Sequence, residues 1–477
     1  MSSIAYPIDV GILVAFLAIN LVVGLSYGRR VKDLKAYALG GKNFSTGTLA
    51  ATIVATVSSG SGLFIDLENT YSNGLYYIIA IIGLPIGLWL SGQLAIRMGE
   101  FLNNVSVAEA MGDVYGKTVQ IITAISGIIA KTGLTAVQFK AIATMLSILF
   151  NFDSISTTLA AASIVIIYST LGGIRSVTFT DVIQFFTFGT IIPILALVIW
   201  SSIQDPNQVI ITLTNNPNFN IKQVVRWNPQ FRATLGLLLY FVIPHLYTPQ
   251  IFQRIAMARG TRQVKDSLTY AAGILLLVLL LTAWVSILLL TDRPGLAPGQ
   301  IVPYLIQHHA YTGLRGLLGV GIMALAMSTA DSCLNACSVL FANDIVKPLS
   351  GHTAGSIKVA KSFSFVIGFA AVLLALYSSD LLSLVLLSGS FYMPIFTVPM
   401  LLAVLGFRST KRAVLVGMAA GFMMVVLWSI FFKNSTSIAP GMLANLIGLV
   451  GTHYLLGEKG GWQQTDPNNS SKTATIP

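Results

Sequence analysis

Residues 52–65 read TIVATVSSGSGLFI, an apolar run broken halfway by serines and by Gly60 and Gly62. The run lies inside a longer apolar stretch, 46–71, which exceeds the roughly 20 residues needed to cross a bilayer core. Each glycine weakens a helix there by roughly 1 kcal/mol, so the stretch is predicted to break at mid-membrane. Carbonyls released by such a break can coordinate an ion, and the half-helix ends can hold a solute. The stretch 231–254 carries a matching interruption, with Pro244 and Pro249 in FVIPHLYTPQ. Two broken helices, each opening a run of five, are the sequence pattern of an inverted-repeat secondary transporter.

The rest of the chain agrees. Of its 477 residues 55% are hydrophobic and only 9% charged, against roughly 25% charged in soluble proteins. Mean hydropathy is +0.78. So few charges cannot coat soluble cores, and the chain is predicted to be an all-α, polytopic membrane protein. Soluble enzymes, disordered scaffolds and secreted disulfide domains are excluded together. The two cysteines, Cys333 and Cys337, sit one turn apart in an apolar stretch and read as small packing residues. The sequence has no phosphate-cradling loop, no His/Cys cluster and no nucleophile–base pair. Neither a nucleotide-driven pump nor an intramembrane enzyme is predicted.

About thirteen stretches are long and apolar enough to span: 8–28, 46–71, 74–97, 118–150, 155–171, 179–201, 231–254, 267–291, 313–346, 357–377, 381–405, 411–432 and 438–456. The first lacks a basic n-region and a small-residue cleavage site, so it reads as a span rather than a signal peptide. With the N-terminus outside and the C-terminus cytoplasmic, the inner side collects twenty of the 28 Lys and Arg, Arg254 among them. Six fall outside, and Lys131 and Lys140 lie within a membrane stretch. The net charge of +11 is thus an orientation signal and not a nucleic-acid surface. The loop 202–230 reads as an ordered or semi-ordered lid, and 457–477 as a disordered tail.

Asp66, Glu68, Asp181, Asp331, Lys131 and Lys140 fall within membrane stretches. At roughly 2.5–3.5 kcal/mol each, they cost on the order of 15–20 kcal/mol unless paired or solvated. They mark the route of something polar. In MALAMSTADSCLNACSVLF, residues 323–341, Ser328, Asp331, Ser332 and Asn335 recur at i, i+3, i+4 and i+7 and share one helix face. Oxygens so arranged suit a small hard cation; the plainer reading is hydroxyls capping their own helix, which leaves Asp331 needing a countercharge. Asp181 follows the turn LGGIRS, where a carboxylate at a helix start is also ordinary.

Four segments carry a resemblance: AYALGGKNFS (36–45), LGGIRSVTFTDVIQ (171–184), PQIFQRIAMARGTRQVKDS (249–267) and AMSTADSCLNACSVLFANDIV (326–346). They resemble the sodium/solute symporter family, whose members share the leucine-transporter-like fold of five plus five inverted helices. The likeness runs from about 8 to 456. It implies an extra N-terminal helix at 8–28, repeat one at 46–201, repeat two at 231–405, broken first and sixth core helices, and two C-terminal helices within 411–456. It also implies sodium-coupled secondary active symport by alternating access in a cell (inner) membrane, with Na+ and a small-molecule solute as partners and no oligomer required. The family's common sodium site maps to the carbonyls of Val54, Val57 and Leu325 and the hydroxyls of Ser328 and Thr329. Some members bind a second cation, at a site that maps to Asp181, Ser328, Asp331 and Ser332. Asp331 departs from the family, which has an uncharged residue there. An added carboxylate either strengthens a cation site, holds a proton, or pairs with Lys131, which resembles a lysine of sugar-transporting relatives.

Groups expected to face a central cavity are Thr56, Ser58 and Ser61 at the first break, Lys131, Thr135 and Gln138 along one stripe, and His245 at the second break. The acidic-Gln pair that sugar carriers show after their serine is missing. A lysine in the cavity favours a carboxylate, so an amino acid or small organic anion is the expected solute. A proton-coupled or sugar/sialic-acid-type symporter on the same fold remains the alternative, and a membrane sensor with vestigial cation sites is the reading from a different class.

Overall fold

The computed structural model describes residues 7–28, 31, 33–150, 153–243, 247–350, 357–377, 381–432 and 437–462. It is helical apart from one two-residue strand pair. Helix α1, Pro7–Gly28, runs to the short α2, Leu34–Leu39, and then to the first broken pair, α3, Thr46–Val57, and α4, Gly60–Asn73. There follow α5, Leu75–Ile81; α6, Gly83–Leu94; α7, Val107–Tyr115; and α8, Lys117–Phe150. The long α9, Ser154–Ser202, leads into α10, Asn207–Asn215, and α11, Ile221–Val224. The second interrupted pair is α12, Pro229–Val242, and α13, Pro249–Ala256, followed by α14, Thr261–Asp292, and α15, Ile301–His309. Helix α16, Leu314–Val339, continues through a π-helical turn, Leu340–Val346, into α17, Lys347–Ser350. The chain ends with α18, Ile357–Tyr377; α19, Leu381–Ser390; α20, Met393–Leu405; α21, Lys411–Phe431; and α22, Ile438–Leu455.

Among the described residues nine helices are long and apolar enough to cross a membrane, or up to eleven counting two bent pairs. The expected separate stretches 155–171 and 179–201 are two helices within α9 that meet at a kink with no loop between them, where Gly173 alone leaves helical geometry (φ 63°). A side chain at Gly173 would also meet the ring of Tyr37 at 2.7 Å. The loop at 202–230 is ordered into α10 and α11. Within the expected disordered tail, Gly461–Trp462 pairs antiparallel with Phe407–Arg408. Trp462 sets its ring edge-on to Phe407 there, which supplies the apolar contact that the polar composition hid. The remainder of that tail, 463–477, lies outside the described residues.

The first break forms as the sequence predicts. Val57 ends α3, Ser58 and Ser59 are extended, and the Ser59 hydroxyl accepts the Gly62 N–H to cap α4. The two halves differ in direction by 62°. Glycine is required at Gly60 for packing: a Cβ there would stand 2.7 Å from that of Ala326 on α16. Helix α16 is the axis of the molecule, with α1, α3, α4, α8, α9, α13 and α18 against it. Its start is held by Asp9 of α1, whose Oδ1 accepts the N–H groups of Gly313 and Gly316 at 2.7 and 2.8 Å. Two apolar clusters flank the break. Val54 and Ala55 belong to one, with Tyr37, Met98 and Phe252; Phe64 and Leu67 belong to the other, with Leu149, Leu289 and Leu314. The polar groups lie between them.

Candidate functional site

The unwound end of α3 meets the middle of α16. The Ser328 hydroxyl donates to the Ala55 carbonyl at 2.7 Å and stands 2.9 Å from that of Leu325. The Thr329 hydroxyl lies 3.3 Å from the carbonyls of Thr56, Ser58 and Leu325. Carbonyls at a helix terminus have no partner in their own ladder, so this junction gathers uncharged oxygens from two elements in a water-poor place. Such a donor set fits a hard monovalent cation. The expected residues Leu325, Ser328 and Thr329 are brought together with the last turn of α3. Within that turn Val54 spends its carbonyl on the Ser58 N–H at 2.8 Å, and Val57 lines the adjoining cavity.

That cavity, of about 220 Å³, runs from the break along α4 to Asp66 and Asn69. Thr56, Ser58, Ser61 and Lys131 line it, as expected from the sequence, and so do Thr248 and Gln250 at the start of α13. Both interrupted pairs therefore face one space. Leu84, Leu237, Leu275 and Leu279 form apolar walls. Asp66 accepts the Tyr77 hydroxyl at 2.7 Å. Lys131 is buried and its ammonium, among the described residues, makes no hydrogen bond or ion pair. The Ser58 hydroxyl and the Gln250 side-chain oxygen also lack partners there.

Two residues expected in the cavity do not line it. Thr135 returns its hydroxyl to the Lys131 carbonyl of its own helix at 2.8 Å. Gln138 is consumed by Ser61, to which it donates at 2.9 Å, and this pair ties α8 to the first turn of α4. His245 lies outside the described residues.

Asp181, Asp331 and Ser332 come together behind the junction, all buried. Ser328 faces α3 instead. Their company is the guanidinium of Arg254, which sequence reading had placed among inner-side surface charges. It is fully buried, because α13 turns its one basic residue inward among Ile251, Phe252 and Ile255. One terminal nitrogen reaches Asp181 Oδ2 at 3.0 Å and Ser332 Oγ at 2.5 Å. Its Nε lies 3.3 Å from the Thr52 hydroxyl, which itself donates to Asp181. Asp331 pairs with the Tyr168 hydroxyl, 2.8 Å away, and not with Lys131. The apolar residues flanking Arg254 were the only sequence signal for its burial.

The model of the sodium:solute symporter family matches residues 37–421. The sodium/sialic acid symporter NanT of Aliivibrio fischeri is 24% identical over 387 residues, covering 76% of this chain and 75% of the relative. The sodium/proline symporter of Escherichia coli is 24% identical over 463 residues, covering 90% and 89%. A solved Na+-coupled sialic acid symporter, in a substrate-bound outward-open state, superposes with a TM-score of 0.86 at 21% identity, over 96% of this chain and 99% of that one. The chain belongs to the sodium:solute symporter family and is a Na+-using membrane transporter, not an enzyme.

Proposed function

We propose that this protein carries out sodium-coupled symport of a small organic solute bearing a carboxylate, by alternating access. The observation that carries the reading is Lys131, a buried ammonium with no partner among the described residues, in a cavity that adjoins the α3–α16 junction. A buried unpaired charge is costly, and a solute carboxylate supplies what Lys131 lacks. Sodium sits between the end of α3 and Ser328 and Thr329. By joining the broken helix to α16 it shapes Thr56 and Ser58 at the cavity floor. Solute binding then raises sodium affinity by the factor by which sodium raises solute affinity. Proline, sialic acid and short monocarboxylates all satisfy the Lys131 requirement, so they head the solute panel.

The test is uptake by the purified protein in proteoliposomes across that panel, under sodium, lithium or pH gradients. Expected is flux that needs sodium and an anionic or zwitterionic solute. Ser328→Ala and Thr329→Ala should each raise the half-saturating sodium concentration about tenfold or more, consistent with about 1.5–3 kcal/mol for a contact to a charged group. Sodium-independent flux, unaffected by either substitution, refutes the reading.

A further inference from the structure

The solute cavity holds a second charge, which a simple carboxylate leaves unused. Asp66 lines it beyond the break and is half-buried. Its Oδ1 accepts the Tyr77 hydroxyl at 2.7 Å. Among the described residues its Oδ2 has no partner, and no cation pairs with it. We propose that Asp66 is a second anchor for the solute, and that the solute is a zwitterion whose cationic nitrogen is set several atoms from its carboxylate, as in a γ- or longer ω-amino acid. The inference rests on the Lys131 reading above and names the substrate class of that same site.

The spacing follows from the way α4 lies along α8. Gln138 of α8 meets Ser61 in the first turn of α4, and further along Leu67 of α4 and Met145 of α8 line one apolar pocket. The two helices therefore run side by side in the same direction. Lys131 stands seven residues before Gln138 and Asp66 five residues past Ser61, so they lie on opposite sides of that contact. At about 1.5 Å of rise per residue, their Cα atoms are up to about 18 Å apart along the bundle. The side chains close only part of that distance. They line one cavity and form no ion pair with each other.

A buried charge without a partner is costly, and here two of opposite sign are held apart. A solute with only a carboxylate satisfies Lys131 alone. An α-amino acid carries both charges on one carbon and reaches one group at a time. A spacer of roughly three or more carbons lets the ammonium approach Asp66 Oδ2 while the carboxylate stays at Lys131. The walls between suit such a spacer, because Leu63, Leu84, Leu275 and Leu279 offer it apolar surface. Tyr77, which holds Asp66, belongs to α5, and α5 packs on α12. Tyr240 and Phe241 of α12 line the cavity with it, and aromatic faces attract a cation.

The experiment is calorimetric titration of the purified full-length protein, in saturating sodium, with glycine, β-alanine, γ-aminobutyrate and ε-aminocaproate. Pentanoate and heptanoate, in which a methyl replaces the ammonium of the last two, are the controls. Affinity should rise from glycine to the longer members. The tightest of them should bind about tenfold or more tightly than its methyl counterpart, as one contact between charged groups provides. In Asp66→Asn, which keeps the shape and an oxygen for the Tyr77 hydroxyl, that preference should fall to about twofold or less. The fatty acid should bind this variant at least as well as wild type, because its methyl end no longer faces a charge. Fatty acids as tight as amino acids in the wild type, a preference that survives Asp66→Asn, or glycine as the tightest ligand each overturns the proposal and leaves the Lys131 reading standing. Where Asp66→Asn binds neither class, the wild-type series decides. If none of these carboxylates binds the wild type, the Lys131 reading itself is refuted, and this inference falls with it.

Discussion

Lys131 and Arg254 are both buried cations, and their difference is the most instructive feature at the residue scale. Arg254 has a carboxylate, two hydroxyls and a carbonyl around it; Lys131 has an open cavity. A contact to a charged group contributes about 1.5–3 kcal/mol. Lys131→Ala is therefore expected to raise the KM of a carboxylate solute about tenfold or more, while 22Na+ binding in the absence of solute stays at the wild-type level. An unchanged KM would remove Lys131 from the solute site. The sequence showed Lys131 because it interrupts a long apolar run. It hid Arg254, since a basic residue in PQIFQRIAMARG looks like one more inner-surface charge until Asp181, 73 residues away in the chain, is seen at 3.0 Å. Thr135 and Gln138 misled for the opposite reason. Spacing gave their stripe correctly, but it could not show that one hydroxyl returns to its own helix and that Ser61 takes up the amide.

At the scale of elements, the break between α3 and α4 was legible because serine and glycine act locally, through caps and lost helix propensity. The bend of 53° between α19 and α20 was not expected. There the interruption falls at Phe391 and Tyr392, between Gly389 and Pro394. Pro394 stands in the first turn of α20, where a proline starts a helix but cannot continue one; the Tyr392 hydroxyl donates to the Tyr247 carbonyl at 2.8 Å. The close approach of α4 and α16 yields a direct test. In Gly60→Ala the new methyl meets Ala326 Cβ at 2.7 Å and the Ile322 carbonyl at 3.0 Å, an overpacking that costs about 1–3 kcal/mol. The variant should melt several degrees below wild type and take up solute more slowly. Adding Ala326→Gly removes one of the two clashes and should recover part of the loss. A Gly60→Ala protein with wild-type Tm and uptake would show that the two helices need not touch.

For the whole molecule, the alternating access proposed above requires that one end of the bundle be shut while the other is open, and a contact network at one end is a testable closure. The cavity runs along α4 toward Asp66, whereas at the opposite end the π-helical turn after α16 buries Asp344 against α7 and α8. Asp344 accepts the Ser106 hydroxyl at 2.6 Å and the Gln120 amide at 2.8 Å, and Ser106 is itself the cap of α7. One wide turn thus fastens the end of α16 to the start of two others, and π-turns of this kind recur at functional positions. Asp344, within LFANDIV at the end of the stretch 313–346, is not among the membrane carboxylates singled out from the sequence, and nothing local marks its partners. Asp344→Ala removes three hydrogen bonds to a carboxylate, two of them from other helices, and even one such bond at about 1.5–3 kcal/mol shifts a closed–open equilibrium about tenfold or more. Ala342, fully buried beside this turn, reports the change when replaced by cysteine in a chain whose own Cys333 and Cys337 are alanine. A membrane-impermeant maleimide should label that cysteine slowly in the parent and at least about tenfold faster with Asp344→Ala, from the side bearing Lys42 and Lys347. Equal rates would mean that Asp344 does not hold this end shut, and the closure would then rest on neighbouring contacts such as Arg408 with Glu100 and Arg97 with the Leu405 carbonyl.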